Sequence, residues 1–382
     1  MDRIENAQMN SLGTRKLYYE NVHQTDFTAV VMECVPDKEE GYYRIVLDAS
    51  AFFPEEGGQS ADKGTLNGQE VLDVSIKQGI LYHKTACEFS VGTRVTGHVD
   101  WNRRFDFMQQ HSGEHLVSGL IHARFGYENV GFHLGADLVT IDFNGEVDEQ
   151  ALQELERAAN EAVWADFAPH IWYPEPDELA HLPYRSKKAL TGAVRLVQFG
   201  DIDLCACCGT HVARTGEIGL IKLFSTTHFR GGSRIEMACG GRALAVLNAL
   251  CAQNRDISVR LSAKPVQTAA AVARLASERT EAQQRAAALE DRLFALLAQD
   301  GQTLRFEPPM PPESVRRLTD AMVRANTARC AVFAGSDGGY QYAVIESGGD
   351  LRQLIKDMNA ALHGRGGGRD GFAQGSAACT AE

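Results

Sequence analysis

The sequence predicts an α+β protein of several domains, and three features of its patterning support this fold class. Short apolar or alternating runs separated by glycine-rich turns fill residues 1–100, which is typical of a small β-barrel. Helical periods and strand-like runs alternate over residues 101–250, which predicts a central α+β domain. Residues 251–305 predict a long helix or helical hairpin, and residues 306–382 a small C-terminal α/β domain.

The N-terminal barrel is predicted from four strand-like runs. They lie at residues 27–32, 42–47, 71–74 and 94–99. Between the second and third runs, residues 48–64 place a Gly57-Gly58 pair among polar groups. Glycine lets backbone approach a ligand closely, but composition alone favours an ordinary barrel turn here.

The central domain is predicted from two helices and three strands. The helices are expected at residues 101–125 and 148–167, and the strands at residues 138–143, 194–199 and 218–225. Leu116, Leu120 and Ile121 continue the first helix at helical spacing. His133 lies in a Gly-flanked segment that we expect to be a loop between this helix and the next strand.

The C-terminal part begins with a long helix at residues 269–299, whose leucines form a near-heptad stripe. This stripe favours either a dimer or a spacer, or one arm of a helical hairpin inside a monomer. A proline-rich break at residues 308–312 is followed by strands near 331–334 and 342–345. The glycine-rich run at 364–371 lacks the lysine of a phosphate-binding loop, so we expect a turn or flexible segment.

Composition limits the classes of function. With 44% hydrophobic and 23% charged residues and no apolar run of about 18 residues, we expect a soluble protein without a membrane span. A polar N-terminus and nine irregularly spaced cysteines predict a cytoplasmic, reduced protein. A net charge of −12 argues against non-specific coating of nucleic acid.

Local clusters of basic residues remain candidates for a nucleic-acid groove, although each could equally be a solvated charge cluster. These are Arg103 with Arg104, Arg185 with Lys187 and Lys188, and Arg230 with Arg234.

Two motifs predict a metal site. His111 and His115 form HxxxH on a predicted helix, where residues four apart share one face. Cys207 and His211 form CxxxH around a tight turn, and thiolate with imidazole is a donor set that zinc prefers. The order is not that of an HExxH protease, because Glu114 precedes the second histidine. No CxxC pair lies at zinc-finger spacing.

Together, the motifs resemble the editing domain of alanyl-tRNA synthetase. They are SAFFPEEGGQSADKG at 50–64, HSGEH at 111–115, GFHLG at 131–135, CCGTHVARTGEIG at 207–219, GGSRIE at 231–236 and GRGGGRDGFAQGSA at 364–377. About a hundred residues precede His111, which is too short for the synthetase's aminoacylation module. The chain is therefore similar to free-standing alanyl-tRNA editing proteins of the AlaX type, in the long form with a C-terminal domain.

The resemblance implies an ATP-independent hydrolase that deacylates alanine tRNA carrying serine or glycine, with one zinc ion per chain. It implies that His111, His115, Cys207 and His211 hold the zinc, although the CCG turn makes Cys208, and less so Cys205, competing ligands. A homodimer through the C-terminal helix and domain is a further expectation.

The resemblance also implies substrate contacts. Gly57, Gly58 and Gln59 are expected at the substrate edge, with Thr210 and Arg234 as further binding candidates. Ser50 stands where the family often has a threonine that contacts the serine hydroxyl, and His133 where it has a polar residue lining the pocket.

Two chemical questions stay open at the level of sequence. Zinc could activate water, or four protein ligands could leave it to anchor substrate or order the pocket. The general base could be His133 or Glu114. Three other functions also fit parts of the pattern: a zinc-containing tRNA-binding protein without hydrolase activity, a hydrolase of another ester, and a coiled-coil scaffold.

Overall fold

The computed structural model describes residues 13–135, 137–186, 192–326 and 328–381. The chain divides into two compact units, Met1–Gln253 and Asn254–Glu382. Both units combine helices with sheets, which confirms the predicted α+β class. None of the helices in the described ranges is both long and apolar enough to cross a membrane.

The first unit begins with a closed six-stranded barrel in the order β2-β3-β7-β6-β5-β8. Its elements are β1 (Arg15–Lys16), α1 (Leu17–Glu20), β2 (Asp26–Pro36), β3 (Tyr43–Leu47), β4 (Ala49–Ser50), β5 (Gly64–Leu66), β6 (Gln69–Lys77), β7 (Ile80–Thr85) and β8 (Arg94–Val99). In β8, buried and exposed residues alternate strictly, as expected for a strand with one face on a core. The barrel encloses a core of its own that includes Ile45, Leu47 and Leu81.

The rest of the first unit packs two helices against sheets around a second core. Its elements are α2 (Trp101–Phe125), β9 (Asn129–Leu134), β10 (Val139–Phe143), α3 (Glu149–Trp164), β11 (His170–Trp172), α4 (Pro176–Leu179), β12 (Leu196–Phe199), β13 (Asp203–Ala206), β14 (Ile221–Phe229) and β15 (Gly232–Cys239). One antiparallel sheet has the order β14-β15-β10-β9, and a smaller one the order β11-β12-β13.

Capping residues fix the two central helices where the sequence predicted them. The Asp100 side chain accepts a hydrogen bond from the Arg103 backbone N–H, and Gly126 ends α2 in the left-handed conformation. The Asp148 side chain accepts from the Ala151 N–H at the start of α3. Both ends of helix α2 are therefore capped, and this helix carries His111 and His115, two of the predicted metal ligands.

The second unit is a four-stranded sheet, β16-β17-β18-β19, with helices packed on it. Helix α5 (Gly240–Arg260) runs across the boundary between the two units. The remaining elements are α6 (Thr268–Leu297), β16 (Leu304–Glu307), α7 (Pro312–Asn326), β17 (Cys330–Ser336), β18 (Gly339–Asp350), α8 (Arg352–Ala361) and β19 (Arg365–Ala377). The predicted long helix and the two predicted strands of this region are confirmed.

Two segments that we expected to be irregular are strands. Residues 131–135 were expected to form a loop, but most of them belong to β9, which pairs antiparallel with β10. Residues 364–371 were expected to be a turn, but they lie mostly in β19, paired with β18. The β19 backbone passes close to the Tyr342 side chain at Gly366, where an added Cβ would lie 2.2 Å from the Tyr342 hydroxyl, so this position requires glycine.

Candidate metal centre

Helix α2 presents His111 and His115 to the interior from one face, as their spacing predicted. Both are almost completely buried, at 3% and 2% exposure. The helix packs closely on β15 at Gly113, where an added Cβ would lie 2.2 Å from the Cys239 sulfur. The two imidazoles are therefore placed by tight backbone packing rather than by long side chains reaching inward.

The turn after β13 brings Cys207 and His211 to the same point. The Cys207 Sγ lies 3.4 Å from the His111 Nε2 and 3.4 Å from the His211 Nε2. One donor atom from each of the four residues lies within 4.8 Å of all the others. Gly209 makes this approach possible, since a Cβ there would lie 2.1 Å from the His111 Cε1. We call these four side chains the donor cluster.

Each histidine of the donor cluster has a protein partner at its other ring nitrogen. The His115 Nδ1 lies 2.7 Å from an Asp203 carboxylate oxygen, and the His111 Nδ1 lies 3.2 Å from the Gln59 Oε1. The His211 Nδ1 lies 3.3 Å from the Ser112 hydroxyl. Metal-binding histidines usually have such outer partners, which fix the ring orientation and the tautomer.

The Cys207 thiol of the donor cluster is held in the charged form that binds metal ions. Burial acts to raise the pKa of the Cys207 thiol, but the adjacent His111 and His211 outweigh burial and hold this pKa well below its ordinary value. Burial lowers the pKa of His211 to about 3. Burial also acts to lower the pKa of His115, but its hydrogen bonds to Asp203 and Cys207 raise this pKa to about 10, so a metal ion that binds here must displace a proton from this ring. The cluster thus contains a thiolate, the form of cysteine that binds metals.

The two competing cysteines differ from Cys207 in place and in charge. Among the described residues, Cys208 does not belong to the donor cluster, and burial raises its pKa to about 11. Burial also raises the pKa of Cys205, which lies in a second group with His115 and Asp203. Both therefore remain thiols at neutral pH, so the geometry favours Cys207 as the sulfur donor.

The residues present fit a four-coordinate metal ion. Three imidazole nitrogens converge on one thiolate, the outer nitrogens are held, and no carboxylate belongs to the donor cluster among the described residues. The three histidines are buried, whereas Cys207 is only half-buried. The cluster could hold a metal ion.

The Gly57-Gly58 turn of the barrel lies beside Cys208 and Gly209, within the CxxxH motif. Glu56 and Gln59 close it with two backbone hydrogen bonds of 3.1 Å. Both glycines have positive φ, at +65° and +85°, as in a type I′ turn, and Gly57 approaches the Cys208-Gly209 backbone.

The buried Gln59 then connects the barrel to the turn that carries Cys207 and His211. Its Oε1 accepts from the Thr210 N–H at 3.1 Å, and its Nε2 donates to the Thr210 hydroxyl at 2.8 Å. The structure thus brings Gly57, Gly58, Gln59 and Thr210 together next to the donor cluster.

The structure places Ser50 differently from the contact that the resemblance implied. Its hydroxyl is fully buried, lies 2.7 Å from the His83 Nε2 and accepts from the Phe52 N–H at 3.1 Å. The His83 Nδ1 lies 3.0 Å from the Ile45 carbonyl, and burial lowers the His83 pKa to about 4. A neutral His83 that donates from Nδ1 to the Ile45 carbonyl accepts a hydrogen bond at Nε2 from the Ser50 hydroxyl, so this hydroxyl is already engaged within the protein.

The remaining predicted residues lie outside the donor cluster. The Glu114 carboxylate is buried and accepts from Ser118 and Asn129. His133 is exposed and lies opposite Thr140 of β10. Its neighbour Phe132 is on the other face of β9 and stacks on His111, with ring centres 5.6 Å apart.

The arginines of the predicted basic clusters are largely engaged in ion pairs. Arg234 makes a bidentate pair with Asp142, at 2.6 and 2.8 Å, and lies over the Phe229 ring. Arg104 is buried and pairs with the buried Asp62, so it cannot contribute to a surface groove. Lys187 and Lys188 lie outside the described residues.

Sequence reasoning missed Asp203, Ser112 and Phe132. Asp203 lies two residues before the cysteine-rich segment, and Ser112 lies between the ligands of HxxxH, but neither spacing has a general meaning. Arg195 was also missed: it is buried, donates to the Cys207 and Gly209 carbonyls at 2.8 and 3.0 Å, and lies over the Tyr19 ring. These residues hold the ligands rather than supply them, and only the folded chain brings them together.

Comparisons with known proteins agree with the motifs. Residues 194–236 match the family model of the second additional domain of threonyl and alanyl tRNA synthetases. Residues 2–103 match the model of class II (A) tRNA synthetases.

Similar proteins include an alanyl-tRNA editing protein, AlaX-L, of Pyrococcus horikoshii, which is 25% identical over 94% of this chain and 94% of its own length. The alanine–tRNA ligases of Halorubrum lacusprofundi and Pyrococcus abyssi are each 30% identical over 95% of this chain and 42% of their own length. The chain thus spans about two fifths of these ligases but nearly all of the editing protein. The resemblance predicted from the motifs is confirmed.

Proposed function

We propose that this chain, which resembles alanyl-tRNA editing proteins along nearly its whole length, removes wrongly attached amino acids from alanine tRNA. The reaction is hydrolysis of the ester between the amino acid and the terminal ribose, with serine and glycine as the amino acids removed. One observation carries the proposal: HxxxH and CxxxH, two of the motifs that resemble those of the family, converge on a buried donor cluster whose three histidines all have outer partners.

We propose zinc as the metal, held by His111, His115, Cys207 and His211. Three imidazoles and one thiolate are a donor set that suits zinc better than magnesium or calcium, which prefer oxygen. When bound, zinc supplies Lewis acidity and a fixed positive charge, and with four protein donors we favour a role in anchoring the substrate over activation of water.

The protein's own residues form the surroundings in which the ester would be held. The exposed Gly57-Gly58 turn lies next to Cys208 and Gly209, which follow Cys207 in the chain. Phe132 of β9 stacks on the His111 ring and covers one of its faces. Gln59 and Thr210 fix the turn through buried hydrogen bonds, so the surroundings are organised before the substrate arrives.

A hydrolytic check on serine has a physical reason. An apolar pocket for alanine rejects an analogue with one extra hydroxyl only about 100-fold, so accuracy can require a second site that hydrolyses the error. Such a site selects serine by pairing its hydroxyl, because alanine would leave that protein group unpaired.

Ser50 was the residue proposed for this selection, and its bond to His83 directs the test. Ser50→Thr keeps a hydroxyl for His83, whereas Ser50→Ala removes it. If Ser50 acts on selection, Ser50→Ala lowers the ratio of serine to alanine release, whereas Ser50→Thr, which keeps the hydroxyl, retains it. If Ser50 is structural, only Ser50→Ala lowers stability, and neither variant changes the ratio.

His133 and Glu114 are retained as the proposed candidates for proton transfer. Glu114→Gln removes the carboxylate but keeps the size of this buried side chain, which also accepts a hydrogen bond from Asn129. His133→Ala removes the imidazole of an exposed side chain. Loss of deacylation at unchanged free energy of unfolding identifies a catalytic role. Full activity of either variant removes that residue from the mechanism.

A second function is favoured by the same donor cluster. Four protein donors are typical of structural zinc sites, so the protein could bind tRNA without hydrolysing it. That function predicts tRNA affinity without turnover.

Three finer proposals accompany this function. We propose that the four predicted domains act as barrel, editing domain, helical connection and C-terminal domain, that the C-terminal helix and domain form a homodimer, and that the protein works in the cytoplasm. Leu275, Leu289 and Leu293 of α6 are each more than half exposed, which supports a partner for that helix.

The direct test is deacylation of serine and of alanine from alanine tRNA by wild type, Cys207→Ala and the matched variant Cys208→Ala. Release of serine but not alanine by wild type and Cys208→Ala, with loss in Cys207→Ala, supports the proposal. Tight tRNA binding without serine release by the zinc-loaded wild type would favour the second function.

A further inference from the structure

A pocket lined by two arginines lies near the start of α2. It encloses about 530 Å³. The polar, charged and aromatic side chains that line it are Ser60, Asn102, Arg103, Asp106, Phe107 and Arg242. Two arginines face one aspartate, which leaves one net positive charge in a chain whose overall charge is −12. A local positive charge on an acidic protein indicates an anionic ligand.

Arg103 is held in place but retains binding capacity. Its guanidinium lies 4.5 Å from the centre of the Phe107 ring, and its Nε donates to the Ala61 carbonyl at 3.1 Å. Within the four described ranges, no carboxylate pairs with this guanidinium, and its two terminal nitrogens make no hydrogen bond. A fixed guanidinium with free N–H groups is suited to bind phosphate through two parallel hydrogen bonds.

Arg242 forms the opposite wall and is more rigidly fixed. It makes hydrogen bonds of 2.6 to 3.0 Å with the Asp106 carboxylate and one of 2.6 Å with the Gly135 carbonyl. Its guanidinium lies 6.0 Å from the same Phe107 ring. The pocket is thus built by stacking and ion pairing, and does not depend on flexible surface side chains.

The position of the pocket identifies the anion. Phe107 precedes His111 by four residues on α2, which is about 6 Å along the helix axis. Ser60 directly follows Gln59, whose side chain contacts His111. A nucleotide whose ribose carries the ester at the donor cluster would therefore bring its own phosphate close to Arg103.

We propose that this pocket binds a phosphate group of the tRNA acceptor end, next to the nucleotide that carries the amino acid, with Arg103 as its main contact. The proposal rests on the proposed function for the identity of the nucleic acid. Phosphate binding would position the ester without any reading of base sequence.

The test measures binding of uncharged alanine tRNA over a series of salt concentrations by wild type, Arg103→Gln and the matched control Arg94→Gln. Arg94 is exposed on β8 and does not line the pocket, so Arg94→Gln removes one positive charge from outside the pocket. Arg103→Gln should weaken binding about tenfold and reduce the slope of log affinity against log salt by about 0.7, the value for one single-strand phosphate. The control should remain close to wild type. Equal affinity and slope for Arg103→Gln and wild type would overturn the proposal.

A change in the RNA provides a second measurement that leaves the protein intact. An uncharged methylphosphonate at the terminal linkage should weaken binding to wild type as much as Arg103→Gln does, and should have no further effect on that variant. If inorganic phosphate binds in an Arg103-dependent way while the methylphosphonate has no effect, the pocket binds free phosphate and the tRNA proposal is wrong. Because these assays use uncharged tRNA, failure of hydrolysis would refute the proposed function but not this site.

Discussion

Asp203 offers a sharp test of how the donor cluster is held. One carboxylate oxygen lies 2.7 Å from the His115 Nδ1, and the other accepts from the Arg185 Nε at 2.7 Å. The carboxyl group is almost fully buried. In Asp203→Asn the amide has the same shape but only one oxygen, so either His115 or Arg185 loses its acceptor.

The expected magnitude follows from these two bonds. Loss of an outer partner of a metal-binding histidine typically weakens metal affinity about 10- to 100-fold, or about 1.4 to 2.7 kcal/mol. The buried group left without an acceptor should lower the free energy of unfolding by about 1 to 3 kcal/mol. Metal affinity is measured by competition with a chromophoric chelator, and stability by urea unfolding.

The matched control is Asp201→Asn, the same change at an exposed residue two positions away. Asp201→Asn should leave the metal affinity within twofold of wild type and the free energy of unfolding within about 0.5 kcal/mol of wild type. The reasoning is refuted if Asp203→Asn binds zinc as tightly as wild type, because the carboxylate would then not orient His115.

Three further predictions concern the fit and charge of the structure. In Gly209→Ala the added Cβ would lie 2.1 Å from the His111 ring, so we expect His111 to be displaced and less zinc to remain bound after dialysis. Gly241→Ala is the control, because the space around Gly241 is open, and it should bind as much zinc as wild type. Because burial lowers the His83 pKa from 6.5 to about 4, stability should be complete above pH 6.5 and fall by up to about 3 kcal/mol as the pH approaches 4. Unfolding of His83→Gln should lack this acid-sensitive component, and an identical pH profile would contradict the account. Cys208→Ala should retain one zinc per chain by elemental analysis, since its sulfur lies outside the donor cluster.

The sequence predicted the members of the donor cluster because their arrangement is local. His111 and His115 are one helical turn apart, and Cys207 and His211 flank one tight turn, so spacing alone indicates a shared face or a shared bend. The convergence of the two pairs could be inferred only from the donor preferences of zinc and from the resemblance. The structure brings the two pairs to one point.

The residues around the ligands were less predictable, because they depend on strand register and long-range contacts. His133 was expected in a loop, but pairing of β9 with β10 turns it to the exposed face and brings Phe132 to His111. Ser50 meets His83, 33 residues away, across the barrel. Neither result follows from local patterning, because a shift of one residue in a strand reverses the faces.

The most direct test of the central claim is a zinc titration of metal-stripped wild type with alanine tRNA carrying serine. The account predicts that the stripped protein releases no serine, and that the initial rate rises with added zinc and levels off at one equivalent per chain. Alanine on the same tRNA should remain attached throughout. Full serine release by the stripped protein, or none at full zinc occupancy, would contradict the claim that the donor cluster is the centre of an editing hydrolase.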